Sequence, residues 1–445
     1  MGGFSNLGCQ LRRNKSSTWK VIKMDNFLIQ TFSIKNHPIC ELKEKFRVQY
    51  VMGLGEFMCY ISKKDNRASL VFKVWARSIV ENVPASYWQC SERFVLIKNA
   101  LSIKRDGLRL FTMRRSFFFD CLYLASKMDS KNKPIVFNFF KDHVRGIFAR
   151  KVLMDIYNNW GYPSLQKIPY QLMAHWRTVN DFQNKPMKRI LVVATMSAGK
   201  STLINALAGF RINEVKTTVC TNSISYLYNK PVSDGIVTKG IDNRYRFRYD
   251  VEAMDRGKFT EAALHFNSTL SDCRICLIDT PGANYSADTT HGEMTRKTIA
   301  SNNYDAVIFV VNSTQFNTVD EANLREFVLK HTKKPIVFAI NQLDYYNPED
   351  DSIQETINKL SNLIGQRKKQ CSIVPISAYY ALLLKIPQNK MNEHEQIQLN
   401  RLSQLFQYDY YDMTNYFQAE GKQTRTKKEI DKTGITMLEK VIMKI

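Results

Sequence analysis

The segment that most limits what this chain can fold into lies between residues 190 and 209. An apolar, β-branched run, Ile190-Leu191-Val192-Val193, passes into Ala194-Thr195-Met196-Ser197-Ala198-Gly199-Lys200-Ser201, then into Thr202-Leu203-Ile204-Asn205-Ala206-Leu207, and stops at Gly209. A strand, a loop of small residues ending in Gly-Lys-Ser and a helix form a phosphate-binding loop, because small residues let backbone N–H groups close around an anion at a helix amino terminus. Lys200 is then placed to neutralise β- and γ-phosphates, Ser201 to ligate Mg²⁺, and residues 194–202 to line the site. Ala194 stands where the motif has its first glycine. Alanine costs little there if the backbone keeps a negative φ.

Three further motifs follow in order, each after a predicted strand. Asp279-Thr280-Pro281-Gly282 follows Arg274–Ile278 and matches D-x-x-G, in which Asp279 orients the Mg²⁺ shell through water and the Gly282 amide meets the γ-phosphate. Asn341-Gln342-Leu343-Asp344 follows Pro335–Ile340 and resembles the N-K-x-D guanine reader, with Asp344 accepting two guanine N–H groups that adenine does not present. Gln342 replaces the lysine that usually packs along the base. Ser377-Ala378 follows Ser372–Ile376 and resembles the loop whose amide contacts the guanine oxygen. The threonine that closes on Mg²⁺ must lie in 216–221; Thr221 is preferred over Thr218.

Short β-rich runs (Ile190–Ala194, Arg274–Ile278, Ala306–Val311, Pro335–Ile340, Ser372–Ile376) alternate with amphipathic helical patterns such as Ile353, Ile357, Leu360 and Ile364. This predicts an α/β fold with a mostly parallel sheet covered by helices on both faces. Ligands of such sheets bind beyond the carboxyl ends of the strands.

The first half reads differently. Helical spacing recurs over 42–61, 134–158 and 169–183, while elements between 65 and 130 are poorly defined. The aromatic stretch Leu108 to Ala125, with Arg114, Arg115 and Phe117 to Phe119, suits either a lipid interface or a core, and core is preferred. The expected division is a basic tail over 1–23, a mainly helical basic domain over 24–185, and an α/β domain over 186–445 with a long insertion at about 381–432. Residues 1–185 hold 31 Lys and Arg against 13 Asp and Glu, so +18 of the net +23 charge lies there. That asymmetry suits either an anionic partner, a membrane surface or nucleic acid, or a soluble helical domain with many solvated Lys and Arg. No apolar run of about 18 residues predicts a spanning helix. Nine scattered cysteines suit reduced thiols in a cytoplasm.

The run Met196 to Leu207, with Cys220-Thr221 beyond it and Asp279-Thr280-Pro281-Gly282, resembles the bacterial branch of the dynamin superfamily. The resemblance covers residues 186–380 and the closing helix from Gly434 to Ile445. It implies an enlarged G domain that binds GTP and GDP with Mg²⁺, hydrolyses GTP slowly unless assembled, and self-associates across its nucleotides. By the same resemblance Ser197, Lys200 and Thr221 are catalytic, Ser201 and Thr221 hold the metal, and Ala283 occupies the place of an absent catalytic glutamine. Met196 stands where eukaryotic dynamins carry glutamine. A cytoplasmic protein, peripheral at the inner face of the cell membrane, is the leading expectation. A ribosome- or RNA-associated GTPase and a non-hydrolysing switch are the alternatives.

Overall fold

The computed structural model describes residues 27–28, 31–62, 66–91, 93–103, 110–129, 131–143, 147–160, 168–213, 224–253, 258–281, 289–416 and 428–445. The first half is helical: α1 (Glu44–Ser62), α2 (Asn66–Arg77), α3 (Val95–Leu101), α4 (Leu110–Met128), α5 (Asn132–His143), α6 (Ile147–Asn158) and α7 (Tyr170–Asn184). The aromatic stretch forms α4, and Phe117, Phe118 and Phe119 are all buried, so it is core and not a lipid-facing surface. Gly55 on α1 lets the Tyr87 carbonyl approach so closely that a Cβ would collide with it.

A polar cluster is sealed inside this core. The ring Nδ1 of His37 accepts the Ile39 N–H (3.1 Å), which leaves Nε2 as the proton-bearing atom that donates to Asp120 at 2.9 Å. Tyr50 Oη donates to the same carboxylate oxygen at 2.8 Å. Burial without partners would cost each group several kcal/mol, at about 1–3 per unmade bond, so the three side chains specify one packing.

Among the described residues the second half forms a mixed sheet of nine strands: β1 (Lys188–Ala194), β2 (Ser225–Asn229), β3 (Ile236–Gly240), β4 (Tyr245–Arg248), β5 (Phe259–Leu264), β6 (Ile275–Asp279), β7 (Ala306–Asn312), β8 (Ile336–Asn341) and β9 (Cys371–Pro375). Their order is β4-β3-β5-β2-β6-β1-β7-β8-β9. The five strands from β6 to β9 in that order are mutually parallel and correspond to the five apolar runs. Helices α8 (Lys200–Ala208), α9 (Thr289–Ser301), α10 (Val319–His331), α11 (Ile353–Ile364), α12 (Ala378–Lys385), α13 (Glu393–Leu405), α14 (Glu429–Lys432) and α15 (Ile435–Lys444) accompany it. Local signals set their ends: Ser352 caps α11 by accepting the Glu355 N–H, and Asn392 with Glu395 makes a capping box on α13. Gly209 ends α8 in left-handed backbone (φ 77°), where a side chain would strike Asn267.

The expanded stretch after the first motif holds β2 to β5. Here β2 runs antiparallel to β6, β3 antiparallel to β5, and β4 closes the edge. This addition meets the helical half. The Ser33 N–H donates to Asp234 Oδ2 (2.6 Å), Lys230 Nζ pairs with Asp234 Oδ1 (2.6 Å), and Phe27 packs edge-on against Tyr245 at 4.9 Å.

Candidate functional site

The motif residues gather where the parallel strands end. Ala194 is the last residue of β1, buried, and absent from the positive-φ positions, so the missing first glycine leaves no strain. Left-handed backbone instead occurs at Ser197 (φ 58°) and Gly199 (φ 83°), and these two turns bring the loop round to the start of α8 at Lys200. At Gly199 the left-handed conformation is needed and space is also short, since a Cβ would run into the Asn341 amide.

Asn341 couples three motifs. Its Nδ2 donates to the Ala198 carbonyl (3.0 Å) and its Oδ1 accepts the Ala378 N–H (3.0 Å), so β8 holds both the phosphate loop and the start of α12. The neighbouring Gln342, itself left-handed (φ 66°), donates from Nε2 to the Ser197 carbonyl at 2.8 Å. Asp344 is buried beside this loop. Desolvation raises its carboxyl above the ordinary aspartate range, against the nearby Ser377 hydroxyl and the charge of Arg401, which lower it. A carboxylate kept dry in this way gains strongly from a ligand that presents two N–H donors.

At the phosphate end Lys200 Nζ forms an ion pair with Asp279 Oδ1, both side chains being almost wholly buried. Asn213 Nδ2 donates to the other oxygen of Asp279 at 3.0 Å. Thr280 Oγ1 donates to the Val192 carbonyl (2.9 Å) and locks the end of β6 against β1. Thr202 is buried on α8, while Ser201, Thr195 and Met196 are partly exposed at the loop. Thr221, with Thr218, Gly282 and Ala283, lies outside the described residues.

Four residues, Asn205, Asn213, Asn312 and Arg401, escaped the motif search. Asn205 on α8 accepts the N–H groups of Ile212 (3.0 Å) and Asn213 (2.9 Å) and thereby sets Asn213 on Asp279. Its signal was an amide within the apolar run Leu203 to Leu207, which requires a buried partner. Asn312, at the end of β7, reaches the Ser197 carbonyl at 3.4 Å and follows the same rule of a polar residue closing a strand. Arg401 sits on α13, far from any motif, and left no signal.

A phosphate cradle at the end of β1, a strand-end aspartate facing its lysine, and an Asn-x-x-Asp turn bonded to that cradle define the fold of a P-loop GTPase domain. Residues 190–343 match the dynamin family, and this segment is a dynamin-like G domain. A curated relative, a bacterial dynamin-like protein of Nostoc punctiforme, is 25% identical over 203 residues, 40% of this chain and 29% of the relative. The chain therefore spans under a third of that relative's length. Among solved structures, an oligomerised bacterial dynamin pair described as sensing and tethering membranes aligns at 13% identity over 88% of this chain and 61% of its own (TM-score 0.35). Era bound to MgGDPNP and a 16S ribosomal RNA segment aligns at 20% identity over 44% of this chain and 52% of its own (TM-score 0.29).

Proposed function

We propose that this chain binds GTP and GDP and hydrolyses GTP as a dynamin-type G domain, with self-association and contact with anionic membranes as its working context. The observation that carries the reading is the linkage through Asn341, which bonds the guanine-reading turn to the phosphate loop, so one rigid unit presents a desolvated Asp344 at one end and Lys200 at the other. In this reading Asp344 fixes the base, residues 194–202 wrap the phosphates, and Lys200 exchanges Asp279 for β- and γ-phosphate oxygens. Ser377 and Ala378 border the base.

The donor set suits Mg²⁺: a hydroxyl, Ser201, in the first turn of α8, and the carboxylate of Asp279 on the adjoining strand. Bound there with Thr221, the ion would offset charge on the phosphates. Ser197 and Thr221 position the attacking water, which displaces GDP from the γ-phosphorus. The basic first half, +18 of the net +23 charge, supplies the attraction to an anionic surface. No described helix is long and apolar enough to cross a membrane.

The test is displacement of a fluorescent guanine nucleotide from the full chain by unlabelled GDP, GTP and ATP. Guanine nucleotides should compete and ATP should not; equal competition by ATP would overturn the reading.

A further inference from the structure

The carboxylate at the metal end of the site has a different partner on each oxygen. Lys200 Nζ pairs with Oδ1 of Asp279, and Asn213 Nδ2 donates to Oδ2 at 3.0 Å. Asp279 is 3% exposed and Asn213 5%, so bulk water does not readily replace either partner. In the proposed cycle Lys200 leaves this carboxylate for phosphate oxygens. Among the described residues the Asn213 amide is then its remaining donor. With Oδ2 held in this way, Oδ1 stays turned toward the side that Lys200 vacates.

Asn213 is itself held from two directions. Its N–H donates to Asn205 Oδ1 (2.9 Å), its carbonyl accepts from Asn205 Nδ2 (3.0 Å), and the Ile212 N–H shares the Asn205 oxygen (3.0 Å). Asn205 lies on α8, the helix that Lys200 and Ser201 begin. Two residues before Asn213, Arg211 reaches the other way. Its Nε donates to Glu252 Oε2, one terminal nitrogen to Glu395 Oε2 and the other to the Lys390 carbonyl, each at 2.7 Å. The stretch from Phe210 to Asn213 is thus a bracket fixed to the phosphate-loop helix on one side and to α13 on the other, and the chain runs on from it to Thr221.

We propose that Asn213 is a positioning residue for Mg²⁺: it fixes Asp279 in the orientation that the metal's water shell requires once Lys200 has moved to the nucleotide. Asn213 belongs to none of the four motifs. The inference deepens the guanine-nucleotide and Mg²⁺ reading and rests on it. Groups that orient a metal's carboxylate set metal affinity without touching the ion, whereas an amide that only satisfies a buried carboxylate sets stability alone.

The test titrates the full chain, Asn213→Leu and Asn213→Ser with GDP over a Mg²⁺ series starting in excess chelator, with thermal melting alongside. Asn213→Leu, of similar size but without a donor, should raise the Mg²⁺ concentration that half-tightens GDP binding by about tenfold. Its GDP affinity in chelator should stay within about twofold of the unaltered chain. Asn213→Ser, whose hydroxyl donates through a bridging water, should recover part of the shift. Asp279→Asn should raise the Mg²⁺ midpoint by itself, and adding Asn213→Leu to it should change the midpoint little, because no carboxylate is left to orient. An unmoved midpoint in folded Asn213→Leu, whatever its melting temperature, would overturn the proposal, as would full additivity with Asp279→Asn. Should Asn213→Leu fail to fold, Asn213→Ser carries the same test, with a smaller shift expected and an unmoved midpoint again overturning it. If the unaltered chain binds no GDP, or binds it without any response to Mg²⁺, the underlying reading fails and this inference with it.

Discussion

Lys200, the first residue of helix α8, and Asp279, the last residue of strand β6, form a buried ion pair beneath the phosphate loop. The ammonium is therefore held ready by a carboxylate that also belongs to the metal shell in the proposed site. Lys200→Ala should abolish nucleotide binding and, by leaving that carboxylate with Asn213 as its remaining donor, destabilise the fold by about 3 kcal/mol. Nucleotide titration and urea unfolding measure the two effects separately. Ser201→Ala should instead weaken binding only when Mg²⁺ is present, with little change in unfolding.

Asp344→Asn should move preference from guanine to xanthine nucleotides, since an amide offers one donor where the carboxylate offered two acceptors. The wild-type chain should lose GDP affinity on acidification earlier than an ordinary aspartate would dictate. Burial raises the Asp344 carboxyl, and the binding form disappears as pH falls through that raised value. A pH series of GDP titrations, with XDP competition for the variant, checks both.

The five parallel strands were legible as short apolar runs, clearest in β7 and β8, which are buried along their whole length; β9, at the sheet edge, is buried only at its last two residues. The strands β2 to β5 were not. β4 reads Tyr-Arg-Phe-Arg, an alternation that follows from a half-exposed edge strand and carries no apolar run to find. In the first half, α4 was visible as an aromatic stretch, but its helical period is masked because Phe117 to Phe119 are all buried by neighbours on several sides. At the site, spacing marked the residues proposed to touch phosphate or base. It did not mark Asn205 or Asn213, whose role is to hold another residue, nor Arg401, brought in by tertiary packing of α13.

GTP turnover should be slow for dilute protein and rise with concentration, and anionic vesicles should raise it further. The basic half would concentrate the chain on such surfaces, and added salt should remove the gain once the Debye length shrinks below about 8 Å. Thr221→Ala should stop turnover while sparing GDP binding. Phosphate release measured over a wide range of protein concentration, with and without vesicles, decides; a flat specific activity would rule out assembly-dependent hydrolysis.

Asp234→Ala should destabilise the chain by about 3 kcal/mol, because Lys230 is fully buried and would lose its counter-charge while the Ser33 N–H loses its acceptor. Lys230→Met added to that variant should restore part of the loss, since the stranded charge is then gone. Unfolding in denaturant of the two variants and the parent gives the comparison.

Phe27 and Leu28 are consecutive, yet Phe27 is buried in the core of the helical half and Leu28 in the core beneath the sheet. Val232, from the strand-bearing half, is buried in the helical core, and Leu70 and Tyr245 border both. Neither core can come apart without uncovering side chains that belong to the other. Heat should therefore produce one endotherm for the whole chain, and a nucleotide bound at the sheet should raise the melting point of the helical half by the same increment as its own.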